Sequence, residues 1–181
     1  MSMAELAQSF NGAVVVMGVT SCGKSTVGLA LAKAIGVSYT EGDELHSPAN
    51  IKKMSSGIAL NDEDRWPWLA KVGESLRGPG AKITSCSALK RSYREHIAHY
   101  AGRPVAFILL HGTEKLLAER IAARKNHFMP ASMLTSQLAT LEIPGADENA
   151  ITIDIAKPVD QQVAEAKAWL LKNAASIPPA Q

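Results

Sequence analysis

Residues 13–26 decide the fold, and they read Ala-Val-Val-Val-Met-Gly-Val-Thr-Ser-Cys-Gly-Lys-Ser-Thr. The apolar run at 13–17 is typical of a buried β-strand. Directly after it, residues 18–25 match the pattern Gly-x-x-x-x-Gly-Lys-Ser, which predicts a phosphate-binding loop between a strand and a helix. The backbone N–H groups of such a loop and the positive end of the helix dipole bind phosphate. The sequence therefore predicts a nucleotide site here.

Several residues of this loop have an expected role in binding ATP. Gly18 and Gly23 allow the backbone to turn its N–H groups inward. Lys24 would bridge the β- and γ-phosphates, and Ser25 would hold Mg²⁺. We interpret Cys22 as an ordinary loop residue, with a redox role as the alternative. The residues expected around the nucleotide phosphates are Gly18, Val19, Thr20, Ser21, Cys22, Gly23, Lys24, Ser25 and Thr26.

Apolar β-type runs alternate with helical patterns along the rest of the chain. Apolar residues recur at helical spacing from Val27 to Ile35, and Gly36 can end that helix. Strands separated by helices indicate an α/β fold, a parallel sheet covered on both faces. Strands are predicted at Ala13–Met17, Val37–Thr40, Ala81–Cys86, Val105–Leu110 and Ala150–Ile155. Later helices are predicted at Asp64–Leu76, Ala88–Tyr100, Thr113–Arg124, Ala131–Leu141 and Asp160–Ala174.

Composition excludes several other classes of protein. The chain has 181 residues, 46% of them hydrophobic and 20% charged, as expected for a globular domain. A net charge of +2 gives no bulk attraction to nucleic acid or an anionic membrane. The longest apolar runs are far too short to cross a bilayer, and the N-terminus lacks a signal-peptide pattern, so we expect a cytoplasmic protein. Two cysteines fit neither a disulfide framework nor a zinc site.

The acceptor of a phosphoryl group would bind where the other strands end, since open α/β sheets bind ligands at their carboxyl edge. Residues 41–46 follow the second strand and read Glu-Gly-Asp-Glu-Leu-His. Transfer to an alcohol needs one carboxylate to accept the hydroxyl proton, and a second can hold the waters of a metal ion. We assign Asp43 as the base. The alternative is an acidic turn or helix cap.

Basic residues stand beside three further predicted elements. Arg65 lies in an acidic segment flanked by tryptophans, where a guanidinium could bind a substrate carboxylate in a bidentate manner. Lys90 and Arg91 fall in a predicted first helical turn, where cations oppose the helix dipole, so an anionic ligand would explain them. Solvated surface cations are the alternative. Arg120 and Arg124 share the apolar side of one helix and suit neutralisation of a transferring phosphoryl group, although such residues can also be structural.

Taken together, these motifs resemble the gluconate kinase family, which are P-loop carbohydrate kinases related in fold to nucleoside monophosphate kinases. The resemblance runs from about Ala13 to Ala174. It rests on residues 18–26, 42–46, 50–54, 60–69, 86–91 and 127–129, and on Leu141, Glu142 and Pro144.

The resemblance implies phosphorylation of D-gluconate at its terminal hydroxyl by ATP, with Mg²⁺, in a cytosolic homodimer. It implies five parallel strands in the order 2-3-1-4-5. We therefore expect an N-terminal extension at 1–12, one kinase domain at 13–175 with a lid at about 125–131, and a flexible tail at 176–181.

The resemblance also implies roles for individual residues. Glu41 would help to hold the metal ion, and Pro158 would form part of the adenine-binding site. His46, Lys53 and His127 would join Asp43, Arg65, Lys90 and Arg91 at the acceptor.

Two residues depart from the family pattern. Members usually have Asp in place of Glu41 and commonly Gly in place of Ser21. The longer Glu41 could alter metal binding through water, and Ser21 demands more of its backbone.

Two alternatives stay open. The first is another small-molecule kinase of the same fold, with shikimate or a nucleoside monophosphate as acceptor. The second is a nucleotide-binding regulator without catalytic activity.

Overall fold

A computed structural model of the chain describes residues 10–124 and 131–174. Its sheet contains five parallel strands in the order β2-β3-β1-β4-β5, as the resemblance implied. The strands are β1 (Ala13–Met17), β2 (Ser38–Glu41), β3 (Lys82–Ser85), β4 (Val105–His111) and β5 (Ala150–Asp154). The helices are α1 (Lys24–Ile35), α2 (Pro48–Ser55), α3 (Asp62–Ser75), α4 (Arg91–Ala101), α5 (Glu114–Ala123), α6 (Ala131–Thr140) and α7 (Val159–Ala174).

Strand β1 lies at the centre of the sheet, which explains why its sequence is continuously apolar. Ala13 pairs with Lys82 of β3 on one side and with Val105 of β4 on the other. All five residues of β1 are buried, because helices cover both faces of the sheet. Phe10, which we assign to the N-terminal extension, is also buried in this core. Within the described residues, no helix is long and apolar enough to cross a membrane.

The segment between β2 and α3 is more helical than the sequence pattern predicts. A 3₁₀ turn at Gly42–Leu45 and the helix α2 were both missed. Helix α2 lacks apolar periodicity, but Ser47 caps it by accepting from the Asn50 N–H, and Pro48 occupies its first position. These two short elements bring the 41–46 segment and the start of α3 to the same edge of the sheet.

Two helices begin two or three residues away from the predicted start. Helix α3 begins at Asp62 rather than Asp64, because the Asn61 side chain accepts from the Asp64 N–H and the Asp64 carboxylate accepts from the Asn61 N–H. Pro67 therefore lies inside the helix and not in its first turn. Helix α4 begins at Arg91 rather than Ala88, since Ala88 has a φ of 45° and cannot continue a right-handed helix.

Candidate active site

The phosphate loop joins β1 to α1 in the conformation that its glycines predict. Gly18 has a φ of 144°, and a Cβ there would lie 2.7 Å from both Cys22 Sγ and the Leu110 carbonyl oxygen. Gly23 has a φ of 97°. Ser21 also lies in the left-handed region, with a φ of 64°, so the serine in place of the usual glycine strains the loop. Cys22 is buried and packs beneath the loop, as an ordinary structural residue does.

The ammonium group of Lys24 lies against the interior of this loop. Its Nζ donates to the carbonyl oxygens of Gly18 and Val19, both at 3.0 Å. On the opposite side, the Thr20 N–H donates to Gln137 Oε1 of α6 at 2.7 Å. The loop therefore combines a fixed cation with backbone donors, the two features that bind polyphosphate.

A carboxylate is placed directly beside the first turn of α1. Glu41 accepts hydrogen bonds from Ser25 at 2.5 Å, Ser85 at 2.6 Å and Tyr39 at 2.9 Å. Burial acts to raise the pKa of Glu41, but these three donors outweigh it and hold the pKa below its ordinary value. Burial and the Glu41 carboxylate in turn raise the pKa of Tyr39 to about 12. Glu41 is therefore ionised at neutral pH, with the Ser25 hydroxyl against it.

A cavity of about 490 Å³ opens at the carboxyl edge of the sheet, between the phosphate loop, α2, α3 and α6. Asp43 is held at its rim by Gly42, which packs so closely on β3 that a Cβ would lie 1.7 Å from the Ser85 carbonyl oxygen. The polar and charged residues that line the cavity are Thr20, Ser21, Lys24, Ser25, Thr26, Asp43, His46, Ser55, Arg65, Ser87, Arg124 and Gln137.

His46 is buried in the wall of this cavity. Its ring stacks on Trp68, with centroids 3.8 Å apart and planes 18° apart, and its Nδ1 lies 3.3 Å from Asn50 Nδ2. Burial lowers the pKa of His46 to about 4, Arg65 assists, and Asp43 opposes the shift. The imidazole is therefore neutral at physiological pH.

Arg65 enters the cavity from α3 and is oriented by Tyr93 of α4. Its Nη1 donates to the Tyr93 hydroxyl at 2.9 Å, and the guanidinium lies 5.3 Å from the centre of the Tyr93 ring. The Tyr93 hydroxyl donates to Asp62, which also forms an ion pair with Lys90 at 3.1 Å. These two donors hold the pKa of Asp62 below its ordinary value. The phenol thus links a cavity-lining cation to an acidic group outside the cavity.

The sequence of the chain is similar to those of known proteins over most of its length. No protein-family model matches it. It is 49% identical over 152 residues to a gluconokinase of Gluconobacter oxydans (strain 621H), which covers 81% of this chain and 84% of that protein. It is 40% identical over 156 residues to the thermoresistant gluconokinase of Escherichia coli (strain K12), covering 83% and 88%. The chain belongs to the gluconokinase family.

Solved structures agree with this membership of the gluconokinase family. The crystal structure of a gluconokinase from Sinorhizobium meliloti 1021 covers 91% of this chain and 94% of its own, with a TM-score of 0.85 and 50% identity. A shikimate kinase from Aquifex aeolicus vf5 has a TM-score of 0.56 at 13% identity, and that likeness concerns the fold alone. The resemblance noted in the sequence is therefore confirmed, together with the P-loop kinase fold.

The predicted lid arginines of this gluconokinase-family chain flank a second cavity, of about 280 Å³, behind the phosphate loop. Arg120 donates to the Ile155 carbonyl oxygen at 2.8 Å and to that of Cys22 at 3.4 Å. Arg124 lines both cavities. Pro158 precedes Val159 and Gln162, which line the second cavity, although Pro158 itself does not. Residues 125–130, most of the lid predicted at about 125–131 and including His127, lie outside the described residues.

Three cations that we predicted at the acceptor do not line the main cavity. Each is held in an ion pair whose partner is distant in sequence or lies on another element. Lys53 pairs with Asp64 at 2.8 Å, Lys90 with Asp62 at 3.1 Å, and Arg91 with Asp147 at 2.8 Å and Glu95 at 3.1 Å. Their assignment to the acceptor stays a prediction.

Sequence reasoning missed four polar residues of the site. They are Asn50, Ser85, Tyr93 and Gln137, which respectively contact His46, Glu41, Arg65 and the Thr20 amide. Asn50 stands in a motif that carried the resemblance, so a polar residue there was a usable signal, whereas Tyr93 lies just beyond the motif at 86–91. The sequence around Gln137 carried no such signal, because its partner, the Thr20 amide, lies 117 residues away.

Proposed function

We propose that this chain transfers the γ-phosphoryl group of ATP to the terminal hydroxyl of D-gluconate, giving ADP and 6-phosphogluconate. One observation of the structure carries the proposal. A single cavity is lined by the nucleotide residues Lys24 and Ser25 and by the acceptor candidates Asp43, His46 and Arg65. The proposed base and the proposed carboxylate-binding cation share this cavity with the phosphate loop, and membership of the gluconokinase family supports gluconate as the acceptor.

The transfer assigns a distinct task to each half of the cavity. Asp43 accepts the proton of the terminal hydroxyl as that oxygen bonds to the γ-phosphorus. The bond between the γ-phosphorus and the bridging oxygen breaks, and the electron pair leaves with ADP. Lys24 and the loop amides stabilise the charge on the phosphoryl oxygens and on the leaving group.

Arg65 binds the carboxylate of gluconate in this proposal. A planar guanidinium can bind a carboxylate through two parallel N–H donors, and the contact with Tyr93 leaves other donors of Arg65 free to do so. Because the carboxylate is at one end of gluconate, this contact directs the opposite hydroxyl toward Asp43. The roles of Lys53, Lys90 and Arg91 at the acceptor stay predictions, since each forms an ion pair with a carboxylate of the protein.

Mg²⁺ fits the donor set beside the phosphate loop. The ionised Glu41 carboxylate and the Ser25 hydroxyl are hard oxygen donors that already lie together. No cluster of three or more His, Cys, Asp or Glu side chains suited to a metal occurs in the part of the chain that the structure describes. We therefore propose that Ser25 and Glu41 hold the ion together with ATP phosphates and water. When bound, Mg²⁺ neutralises charge on the β- and γ-phosphates.

We also propose that the two lid arginines contact ATP. Arg120 and Arg124 would approach the phosphates or the nucleoside of ATP, since they line the cavities around the phosphate loop.

We further propose a cytosolic homodimer, as the family resemblance implies. Light scattering on a size-exclusion column would report twice the chain mass of 19.2 kDa for the dimer and the chain mass itself for a monomer.

The proposed reaction is tested by measuring ADP release from Mg-ATP with gluconate, shikimate and nucleoside monophosphates in parallel. We expect turnover with gluconate and rates at least 100-fold lower with the other acceptors. Turnover with shikimate or a nucleotide instead would assign the chain to another kinase of this fold. Nucleotide binding with no turnover on any acceptor would support the regulatory alternative.

A further inference from the structure

The imidazole of His46 is contacted on two sides, by an aromatic ring on its face and by an amide at its edge. Trp68 stacks on its face, and the Trp68 Nε1 donates to the Gly42 carbonyl oxygen at 2.8 Å, which fixes the indole. At the ring edge, Nδ1 faces Asn50 Nδ2 at 3.3 Å. Nε2 has no hydrogen-bond partner among the described residues, and His46 lines the main cavity.

The orientation of the Asn50 amide is fixed by a second contact. The same Nδ2 lies 2.9 Å from the Asp64 carbonyl oxygen, which can only accept a hydrogen bond. The atom that faces this oxygen must therefore be the amide nitrogen. That nitrogen has two protons, so one is donated to Asp64 and the other is directed at His46. Asn50 is only 5% exposed, so bulk water does not compete for these protons.

The protonation of His46 follows from this contact. Because Asn50 donates to Nδ1, that nitrogen must be the unprotonated acceptor of a neutral imidazole, and the ring proton must be on Nε2. We propose that Asn50 is a positioning residue that holds His46 as the neutral Nε2–H tautomer, so that the cavity presents a fixed N–H donor to an oxygen of gluconate. The inference concerns the acceptor and so rests on the proposed function.

The tautomer matters for the transfer of the proton. In the Nε2–H form His46 offers the cavity no basic nitrogen, so Asp43 is the group that accepts the proton of the attacking hydroxyl. In the other tautomer, the unprotonated Nε2 would be a hydrogen-bond acceptor and would compete with Asp43 for the proton of the attacking hydroxyl. Burial keeps the ring neutral, with Asp43 opposing this effect and Arg65 assisting it. The Asn50 donor then decides which tautomer forms, because it excludes a proton from Nδ1.

The tautomer can be measured without substrate or turnover. In protein labelled with ¹⁵N-histidine, chemical shifts and long-range proton couplings distinguish a protonated ring nitrogen from an unprotonated one, and His46→Gln assigns the His46 signals. We expect a protonated Nε2 and an unprotonated Nδ1 at pH 7. A protonated Nδ1 in the unmodified protein would overturn the proposal, whether or not gluconate is the acceptor.

Two substitutions of Asn50 sharpen this experiment. Asn50→Leu removes the donor and should produce a mixture of tautomers. Asn50→Asp offers Nδ1 a carboxylate instead, so the proton should move to Nδ1. Lys53→Met removes the other side-chain contact between α2 and Asp64 and should leave the tautomer of His46 unchanged. The same tautomer in both Asn50 variants as in the original chain would show that Asn50 does not set it.

Kinetics then test the link to the acceptor. Asn50→Leu should raise the KM for gluconate about tenfold, the effect of losing one hydrogen bond of roughly 1.4 kcal/mol, with the KM for ATP changed less than about twofold. In a His46→Gln background, where an amide replaces the ring, Asn50→Leu should change the KM for gluconate less than about twofold. An equal effect in both backgrounds would mean that Asn50 acts only through the structure of α2, and would contradict the proposal.

Discussion

The two halves of the main cavity are built in different ways. In the nucleotide half, consecutive residues 18–26 form the site through their backbone, fixed by a strand before them and a helix after them. In the acceptor half, side chains from the 41–46 segment, α2, α3 and α4 hold one another through long-range contacts. A backbone site is sensitive to few side chains, whereas a side-chain site depends on each partner. Substitutions should therefore affect the halves differently.

The largest effect is expected in the acceptor half, at Asp43. Asp43→Asn keeps the size of the side chain but removes the charge that accepts the hydroxyl proton. Loss of a general base should lower kcat by about 10²–10⁴-fold, while the affinity for ATP measured by calorimetry stays unchanged. A variant with weakened ATP binding and nearly normal kcat would place Asp43 in the nucleotide half instead.

The next effect is in the nucleotide half. Lys24→Ala removes a cation that should stabilise the transferring phosphoryl group, and kcat should fall by about 10²–10³-fold. Among the described residues, Lys24 hydrogen-bonds only within its own loop, to the Gly18 and Val19 carbonyl oxygens and to Cys22 Sγ, so the thermal midpoint should change little. Lys33→Ala is the matched control, since Lys33 is an exposed lysine at the other end of α1. Similar kcat values in the two variants would refute the role of Lys24.

A smaller effect, expected at Tyr93, should distinguish the two halves most clearly, because it should change the KM for gluconate alone. Tyr93→Phe removes the hydroxyl that accepts from Arg65 and donates to Asp62. With its guanidinium less well oriented, Arg65 should bind gluconate less tightly, and the KM for gluconate should rise about tenfold with the KM for ATP unchanged. Tyr100→Phe is the control, because the Tyr100 hydroxyl makes no hydrogen bond within the described residues. Equal changes in both KM values would indicate a general packing defect.

The smallest effect concerns pH. The pKa of His46 is lowered to about 4 in the folded chain, below the ordinary 6.5, so between these values the unfolded chain binds a proton that the folded chain does not. The contribution of His46 to stability is therefore complete above pH 6.5 and is lost as pH falls toward 4. Denaturant unfolding at a series of pH values should show a smaller decline between pH 6.5 and 4 in His46→Gln than in the original chain. Identical profiles would contradict the lowered pKa.

The sequence predicts the nucleotide half of the site better than the acceptor half. The phosphate loop was predictable because its residues are adjacent in sequence and glycine-dependent, and even the unusual backbone of Ser21 was anticipated. Asp43 and Arg65 both line the cavity, and their roles at the acceptor stay predictions. The ion pairs of Lys90 and Arg91 were not predictable, because Asp62 and Asp147 are 28 and 56 residues away.

The fold was more predictable than its short elements. Alternation of apolar runs and helical patterns located all five strands, with no end shifted by more than one residue. Helix α2 was missed because its sequence Pro-Ala-Asn-Ile-Lys-Lys-Met-Ser presents no apolar face, and its place depends on contacts of Asn50 and Lys53 with Asp64. Such contacts bring together distant parts of the chain and leave no local pattern.

The central claim is that one half of the main cavity binds ATP and the other binds gluconate, whose carboxylate is bound by Arg65. It is tested most directly by kcat/KM for gluconate and for gluconamide, its uncharged amide, in the original chain and in Arg65→Ala. A charge-assisted contact of roughly 1.5–3 kcal/mol predicts that the original chain prefers gluconate by about 10–150-fold, and that Arg65→Ala loses most of this preference while keeping its KM for ATP. An undiminished preference for gluconate in Arg65→Ala would contradict the account.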